Sequence, residues 1–424
     1  MSRALPRGLY ERGKQKIPQR AWRTDRERAK KSKRYSMDGN PVWAEIDLAA
    51  IAHNVREVRR VTGPDTRVMA VVKANGYGHG APEVARTALA NGADYLGVAR
   101  AQEGIELREA GIDEPILIFG YTAPDHTGQL ITYRLTQTVY CLELARSFAD
   151  AARAEGKTLK VHLKIDTGMG RLGLPLISST FDTGQPAGIL DGETLKQAIT
   201  IAGLKGLDLE GIYTHFASAD HADKKSARQQ IAMFRDFLEM LRKNGVEVPI
   251  RHAANSAAII DMEETHLDLV RPGIMLYGLY PSVEVNKSRV TLKPAMQVKA
   301  RVAQVKDVPR GFRVSYGSTY ETRQPTRIAT VSAGYADGYC RLLSSCGYML
   351  VHGYHAPVVG RVTMDQTMLD IGHIGHVSPG DVVVLFGTQG ESSIHVDEIA
   401  SRTGTINYEV VATIMARVPR VYSG

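Results

Sequence analysis

Along the chain the hydrophobic and polar positions follow two regimes. From residue 41 to about 278, short continuous apolar runs alternate with amphipathic helical patterns, which predicts an α/β domain built on a parallel sheet. The first run, residues 42–47, leads into a helix whose apolar positions Leu48, Ile51, Ala52, Val55 and Val58 keep the spacing of one helical face. Asp47 caps its start and Gly63-Pro64 stops it. Eight further strands are predicted at 67–73, 95–99, 115–119, 137–141, 159–165, 209–214, 250–253 and 267–271. Helical patterns separate most of them, the clearest at 226–244, where Ala227, Ile231, Phe234, Phe237, Leu238 and Leu241 share a face. Eight such strands predict a closed (β/α)8 barrel, with an open doubly wound sheet as the alternative. Residues 175–188, rich in Ser, Thr, Gly and Pro, read as an inserted loop.

Beyond residue 281 the pattern changes to alternating runs punctuated by glycine, at 296–305, 328–332, 349–351, 357–362, 368–371 and 382–386. No helix is predicted until 396–401, so this part reads as a separate, mainly β domain. The organisation expected is a tail at 1–40, a barrel at 41–280 and a mainly β domain at 281–424.

Charge changes little in this picture once it is located. The net charge of +8 suggests a nucleic-acid partner, yet residues 1–40 alone hold 13 Lys/Arg against 4 acids. The rest is close to neutral, so the basicity belongs to a tail whose composition predicts disorder, and Met37 is a candidate translation start. No nucleic-acid or membrane partner is expected: no apolar run reaches the length of a span and no charged-then-apolar leader is visible. Three irregularly spaced cysteines, Cys141, Cys340 and Cys346, fit a reducing compartment, and a cytoplasmic location is the expectation. The pairs His352/His355 and His373/His376 sit among turn signals, and no metal site is expected.

The candidate chemistry gathers where predicted strands end. In RVMAVVKANGYGHG, residues 67–80, an apolar strand stops on Lys73, where desolvation lowers an ammonium's pKa and frees its amine to condense with an aldehyde. A lone lysine is more often a side chain covering apolar surface with its head in water. Further along, Arg171 lies in the loop 166–173 after the fifth barrel strand and His215 ends the sixth. Asn255 and Ser256 follow the seventh, and Arg271-Pro272-Gly273-Ile274 the eighth. Catalytic groups in this fold collect at that rim, and loops after the seventh and eighth strands often bind phosphate. A desolvated lysine, a phosphate cradle and an arginine for a ring nitrogen are the parts that hold pyridoxal phosphate.

These residues also carry a resemblance. AVVKANGYGHG at 70–80, KIDTGMGRLG at 164–173, GIYTHFA at 211–217, HAANSA at 252–257, RPGIMLYG at 271–278, VSYGSTY at 314–320, GYADG at 334–338, GRVTMDQ at 360–366 and INYEV at 406–410 resemble, in order, the signatures of the alanine racemases. The resemblance covers residues 43–422. It implies a fold-type III pyridoxal 5'-phosphate enzyme that interconverts L- and D-alanine as a homodimer with shared active sites, supplying D-alanine for peptidoglycan. It implies that Lys73 joins the cofactor covalently and is the base on the D face, and that Tyr316 of the partner subunit is the base on the L face. By the same resemblance His215 hydrogen-bonds Tyr316, Arg171 contacts the substrate carboxylate and a cofactor oxygen, and Arg271 pairs with the pyridine nitrogen; His215 together with the nearby Arg171 is expected to help Tyr316 act as a base. Tyr77, Ser256, Gly273, Ile274 and Tyr408 hold the phosphate, the Met364 backbone touches substrate across the interface, and Lys164 is a carbamylation site. Thr363 stands where relatives often carry cysteine, and the 175–188 insertion is longer than usual.

Three other readings use the same residues. A broad-specificity or serine/lysine racemase differs only in pocket volume. An amino-acid decarboxylase on this barrel calls for an acidic partner at the ring nitrogen, where Arg271 stands. A non-catalytic cofactor-binding protein would lack a second base such as Tyr316.

Overall fold

The computed structural model describes residues 39–176 and 192–424. The tail, but for its last two residues, and the insertion beyond Leu176 therefore lie outside the described residues.

The barrel forms from short parallel strands, most of them buried on both faces. In chain order its members are β2 (Arg67–Val71), β3 (Tyr95–Val98), β4 (Ile116–Ile118), β5 (Leu135–Val139), β6 (Leu159–Asp166), β7 (Leu207–Tyr213), β8 (Ile250–His252) and β9 (Leu269–Val270). Each pairs in parallel with the next, and β9 closes on β2 through Leu269 opposite Arg67 and Val270 opposite Val68. The (β/α)8 expectation holds, and with it the placement of every βα loop at one rim. Met69, Tyr95, Leu117, Ile250 and Leu269 pack together as a buried cluster inside the ring. Around it the helix Lys225–Lys243 turns Ala227, Ile231, Phe234, Phe237 and Leu241 inward, as its spacing predicts. Buried Gln230 on the same face reaches the rim, where its Oε1 accepts from the Ala217 amide at 3.0 Å.

Some boundaries differ from the sequence reading, for physical reasons. The first barrel strand ends at Val71 instead of Lys73, because Ala74, Asn75, Gly76 and Tyr77 all take positive φ, between 50° and 61°. A left-handed run of that kind is rare outside glycine and occurs where surrounding structure enforces it. It turns the chain sharply just after the lysine. The strand expected at 137–141 lies two residues earlier, at Leu135–Val139.

The run at 42–47 does form a strand, β1 (Val42–Asp47), but outside the barrel. It pairs antiparallel with β10 (Met296–Val308) and parallel with β11 (Arg420–Ser423), so the first described strand belongs to the second sheet. Helix α1 (Leu48–Thr62) then crosses back, capped by Asp47, whose carboxylate accepts from the Ala50 amide at 2.9 Å. Asn54 of α1 donates to the carbonyls of Leu276 and Lys293 at 3.0 and 2.9 Å, stitching barrel to β domain.

The second domain is mainly β, as expected. Strand Val382–Gln389 pairs with β10 on one side and with Tyr348–Val351 on the other. Thr326–Val331 pairs with the far half of β10 and with Thr367–Asp370. The strand predicted at 357–362 lies instead at Tyr354–Pro357, where it forms a hairpin with Tyr348–Val351. His352 and Gly353, both at positive φ, make its two-residue turn, which starts the strand three residues ahead of the predicted run.

Candidate active site

At the carboxyl ends of the barrel strands a cavity of about 470 Å³ opens toward the β domain. It is lined by Lys73, Tyr77, Lys164, Arg171, His215, Ser256, Arg271, Gly273, Ile274 and Tyr408, ten of the twelve residues singled out from sequence. Tyr408 reaches it from helix Asn407–Ala412 of the β domain, and its ring lies 6.2 Å from that of Tyr77.

The charges lining the cavity are predominantly positive, four cations against Glu409. Lys73, Lys164, Arg171 and Arg271 converge on it. The loop's own carboxylate, Asp166, is committed to the amides of Gly168, Met169 and Gly170 at 2.9, 2.9 and 3.1 Å. Burial lowers the Lys73 ammonium's pKa, and the Arg171 charge lowers it further. Lys164 is pushed down to about 8, first by burial and then by Arg171 and Arg271. His215 is held well below the usual histidine range by burial and then by Arg271.

Arg271 is buried and both of its terminal nitrogens are engaged. Its Nη2 donates to the carbonyls of Thr214 and Ala253 at 2.8 and 2.9 Å and approaches His215 Nδ1 at 3.2 Å, while Nη1 meets His252 Nδ1 at 2.8 Å. The histidine's bonded arginine is thus Arg271, whereas Arg171 acts on it only through space. Since a guanidinium only donates, His215 Nδ1 must accept, and neutral His215 carries its proton on Nε2.

One wall is shaped for a compact anion. Ser256 Oγ accepts from the Gly273 amide at 2.9 Å, and Tyr77 brings its hydroxyl to the same spot. A Cβ on Gly273 would lie 2.7 Å from that hydroxyl, so any side chain there fills the cradle.

Tyr316 and Met364 are not brought to this cavity within one protomer. Both stand on the β-domain surface, Tyr316 72% and Met364 52% exposed. Their backbones are nevertheless tightly held. Ser315, before Tyr316, sits at φ 68°, ψ −179°, a region nearly confined to glycine, and its Oγ donates to the Arg361 carbonyl at 2.7 Å. The carbonyls of Thr363 and Met364 accept from the amides of Tyr335 and Ala336, both at 3.0 Å.

Sequence reasoning missed Tyr213, Phe119, Ile406 and Glu409, which also line the cavity, as does Asn255, placed at the rim from sequence. Tyr213 is the most telling, since its ring lies under both cations, 5.2 Å from the Arg271 guanidinium carbon and 5.5 Å from Lys164 Nζ. Its position next to the strand-ending pair Thr214-His215 was the available signal.

A closed barrel with a desolvated lysine and paired arginines at its catalytic rim defines an enzyme site for small anionic ligands. Comparison with known proteins narrows this. Residues 46–281 match the family model for the alanine racemase N-terminal domain, and residues 295–422 that for the C-terminal domain. The alanine racemase of Methanococcus maripaludis is 50% identical over 91% of this chain and 100% of its own. That of Desulfosudis oleivorans is 52% identical over 91% and 97%. Among solved structures, alanine racemase from Clostridium difficile superposes with a TM-score of 0.84 at 40% identity, covering 91% of this chain and 96% of its own. The enzyme from Bacillus anthracis with bound L-Ala-P does so with 0.83 at 38% identity, covering 91% and 95%. The chain belongs to the alanine racemase family. Among the described residues, no helix is long and apolar enough to cross a membrane.

Proposed function

We infer that the protein interconverts L-alanine and D-alanine in the cytoplasm, using pyridoxal 5'-phosphate, as a homodimer whose two sites each draw on both subunits. The D-alanine formed serves peptidoglycan. The observation that carries this reading is the convergence of Lys73, Lys164, Arg171 and Arg271 on one cavity next to a cradle that a Cβ would fill. Such a cavity suits a phosphate and a carboxylate together.

When bound, the cofactor supplies an electron sink that acidifies the Cα proton of an attached amino acid. The chain's own residues do the rest. Tyr77, Ser256, Gly273, Ile274 and Tyr408 bind the phosphate. Lys73 provides the covalent anchor and moves the proton on the D face, a task helped by its lowered pKa. Arg271 would stand at the ring nitrogen and, as an arginine, would give up no proton there. Arg171 holds the substrate carboxylate, and the Met364 backbone of the partner subunit closes the site beside it.

Tyr316 from the partner moves the proton on the L face. A phenol has an intrinsic pKa of about 10 and needs a donor to stabilise its anion. The Nε2–H of His215, fixed in that tautomer by Arg271, is that donor. The exposed Tyr316 fits a residue that is completed only by a second copy.

The direct test is incubation with L-alanine in deuterated water. D-Alanine carrying deuterium at Cα is the expected product, and its absence would end this reading. Comparable turnover of serine and lysine would move it to a broad-specificity racemase.

Lys164 yields a further expectation. An ordinary lysine, with a pKa of about 10.4, is about 0.4% free amine at pH 8, the form that adds carbon dioxide. With its pKa lowered to about 8, Lys164 has a far larger share of free amine there. We expect ¹³C-bicarbonate to give a carbamate signal that weakens as the pH falls below 8 and is missing in Lys164→Gln. The same signal persisting in the variant would remove the assignment.

A further inference from the structure

We propose that Glu210 is a positioning residue for Arg271, acting through His162 and His252 along a chain of hydrogen bonds that threads the barrel interior. It rests on the reading that Arg271 faces the cofactor's ring nitrogen.

The geometry is continuous. Arg271 Nη1 meets His252 Nδ1 at 2.8 Å, His252 Nε2 meets His162 Nδ1 at 2.9 Å, and His162 Nε2 meets Glu210 Oε2 at 3.3 Å. Toward the amino end of the barrel, Lys160 Nζ holds the other carboxylate oxygen at 2.6 Å. Thr136 Oγ1, at 3.3 Å, and Tyr95 also face this carboxylate. Both imidazoles are completely buried and Arg271 is 4% exposed.

Only one arrangement of protons satisfies the chain. Arginine offers no acceptor, so His252 must present a bare Nδ1 and carry its proton on Nε2. That proton points at His162 Nδ1, which must also be bare, and the Nε2–H of His162 then points at the carboxylate. Burial lowers the pKa of both imidazoles, which favours the neutral forms this order needs. Because Arg271 does not release a proton, the chain cannot shuttle one out of the site. What it transmits is orientation and polarisation from an anion at one end to a cation at the other.

The surroundings are shaped to keep the chain in place. Tyr213 stacks on His252, with centroids 4.7 Å apart and planes at 12°. Gly211 lies opposite His162, and a Cβ there would come within 2.5 Å of the imidazole. Four polar side chains inside a barrel are costly compared with aliphatic packing of the same volume. Among the described residues no carboxylate is ion-paired with Arg271, and this chain is its connection to one. Drawing on the guanidinium through Nη1, the Glu210 charge weakens Arg271 as a donor toward the ring nitrogen and so keeps that nitrogen further from the protonated state.

The test uses holoenzyme reconstituted with cofactor labelled with ¹⁵N in the ring. In Glu210→Gln the ring resonance should move toward the value of a protonated pyridine. The kcat for alanine should fall about tenfold, the size typical of groups acting through another residue, with KM changed much less. In Lys160→Gln, at an exposed position that folding tolerates, the carboxylate loses its competing partner and the resonance should move the opposite way. Shifts of opposite sign establish the inference, and unchanged resonances or shifts of the same sign overturn it. Arg271→Lys separates the two readings. If it shifts the resonance while the Glu210 and Lys160 variants do not, only the inference made here fails; if it leaves the resonance unmoved, Arg271 does not face the ring nitrogen.

Discussion

Replacement of Lys73 by alanine is expected to lower kcat in both directions by about 10⁴-fold or more, since on the roles proposed for it the change removes a proton-transfer group and the covalent anchor together. The lysine owes its reactivity to its position. It follows a strand buried from Val68 to Val71, ahead of a left-handed turn, and burial together with Arg171 disfavours its charged form. None of the groups proposed to hold the phosphate is touched, so Lys73→Ala should still bind the cofactor, now released by gel filtration and without the absorbance of a covalent adduct. Small primary amines added to the variant should restore the covalent link but not full turnover, because a diffusing base lacks the fixed geometry. Activity within tenfold of the parent would show that another group does this work.

How much of this was readable in the sequence depended on whether the signal was local. The barrel strands were legible because parallel strands buried on both faces are continuous apolar runs, and the loops that follow them name the rim. Residues 42–47 look the same locally, yet β1 pairs with β10 and β11, since an apolar run reports burial without naming the partner. The helix Asn407–Ala412 is too short to show a helical period, so Tyr408 was found only through its motif. His162, Glu210 and His252 were read simply as strand residues. Their meaning lies in register across β6, β7 and β8, where Gly211 faces His162 and leaves room for its ring, and no single strand records that. The rim arginines show the same limit. Sequence put Arg171 beside His215, while folding gave the hydrogen bond to Arg271, fifty-six positions from the histidine.

Mixing two inactive variants should restore activity, and this follows from where Tyr316 stands. In one protomer the phenol is 72% exposed on the β-domain surface and absent from the lining of the cavity that contains Lys73. Tyr316→Phe removes one hydroxyl from an exposed ring and should leave folding intact while lowering racemisation by about 10²- to 10⁴-fold. With Lys73 still present, that variant should continue to exchange the Cα proton of D-alanine in deuterated water without forming L-alanine, which distinguishes loss of one base from loss of the site. If each site joins Lys73 of one chain to Tyr316 of the other, a heterodimer of Lys73→Ala and Tyr316→Phe contains one site with both defects and one with neither. Random reassociation of equal amounts makes half the dimers mixed, so about a quarter of the sites, and of the parent activity, should return. Were both bases drawn from the same chain, every site would keep one defect and the mixture would stay inactive, so this one measurement decides whether the second proton-transfer group crosses between subunits.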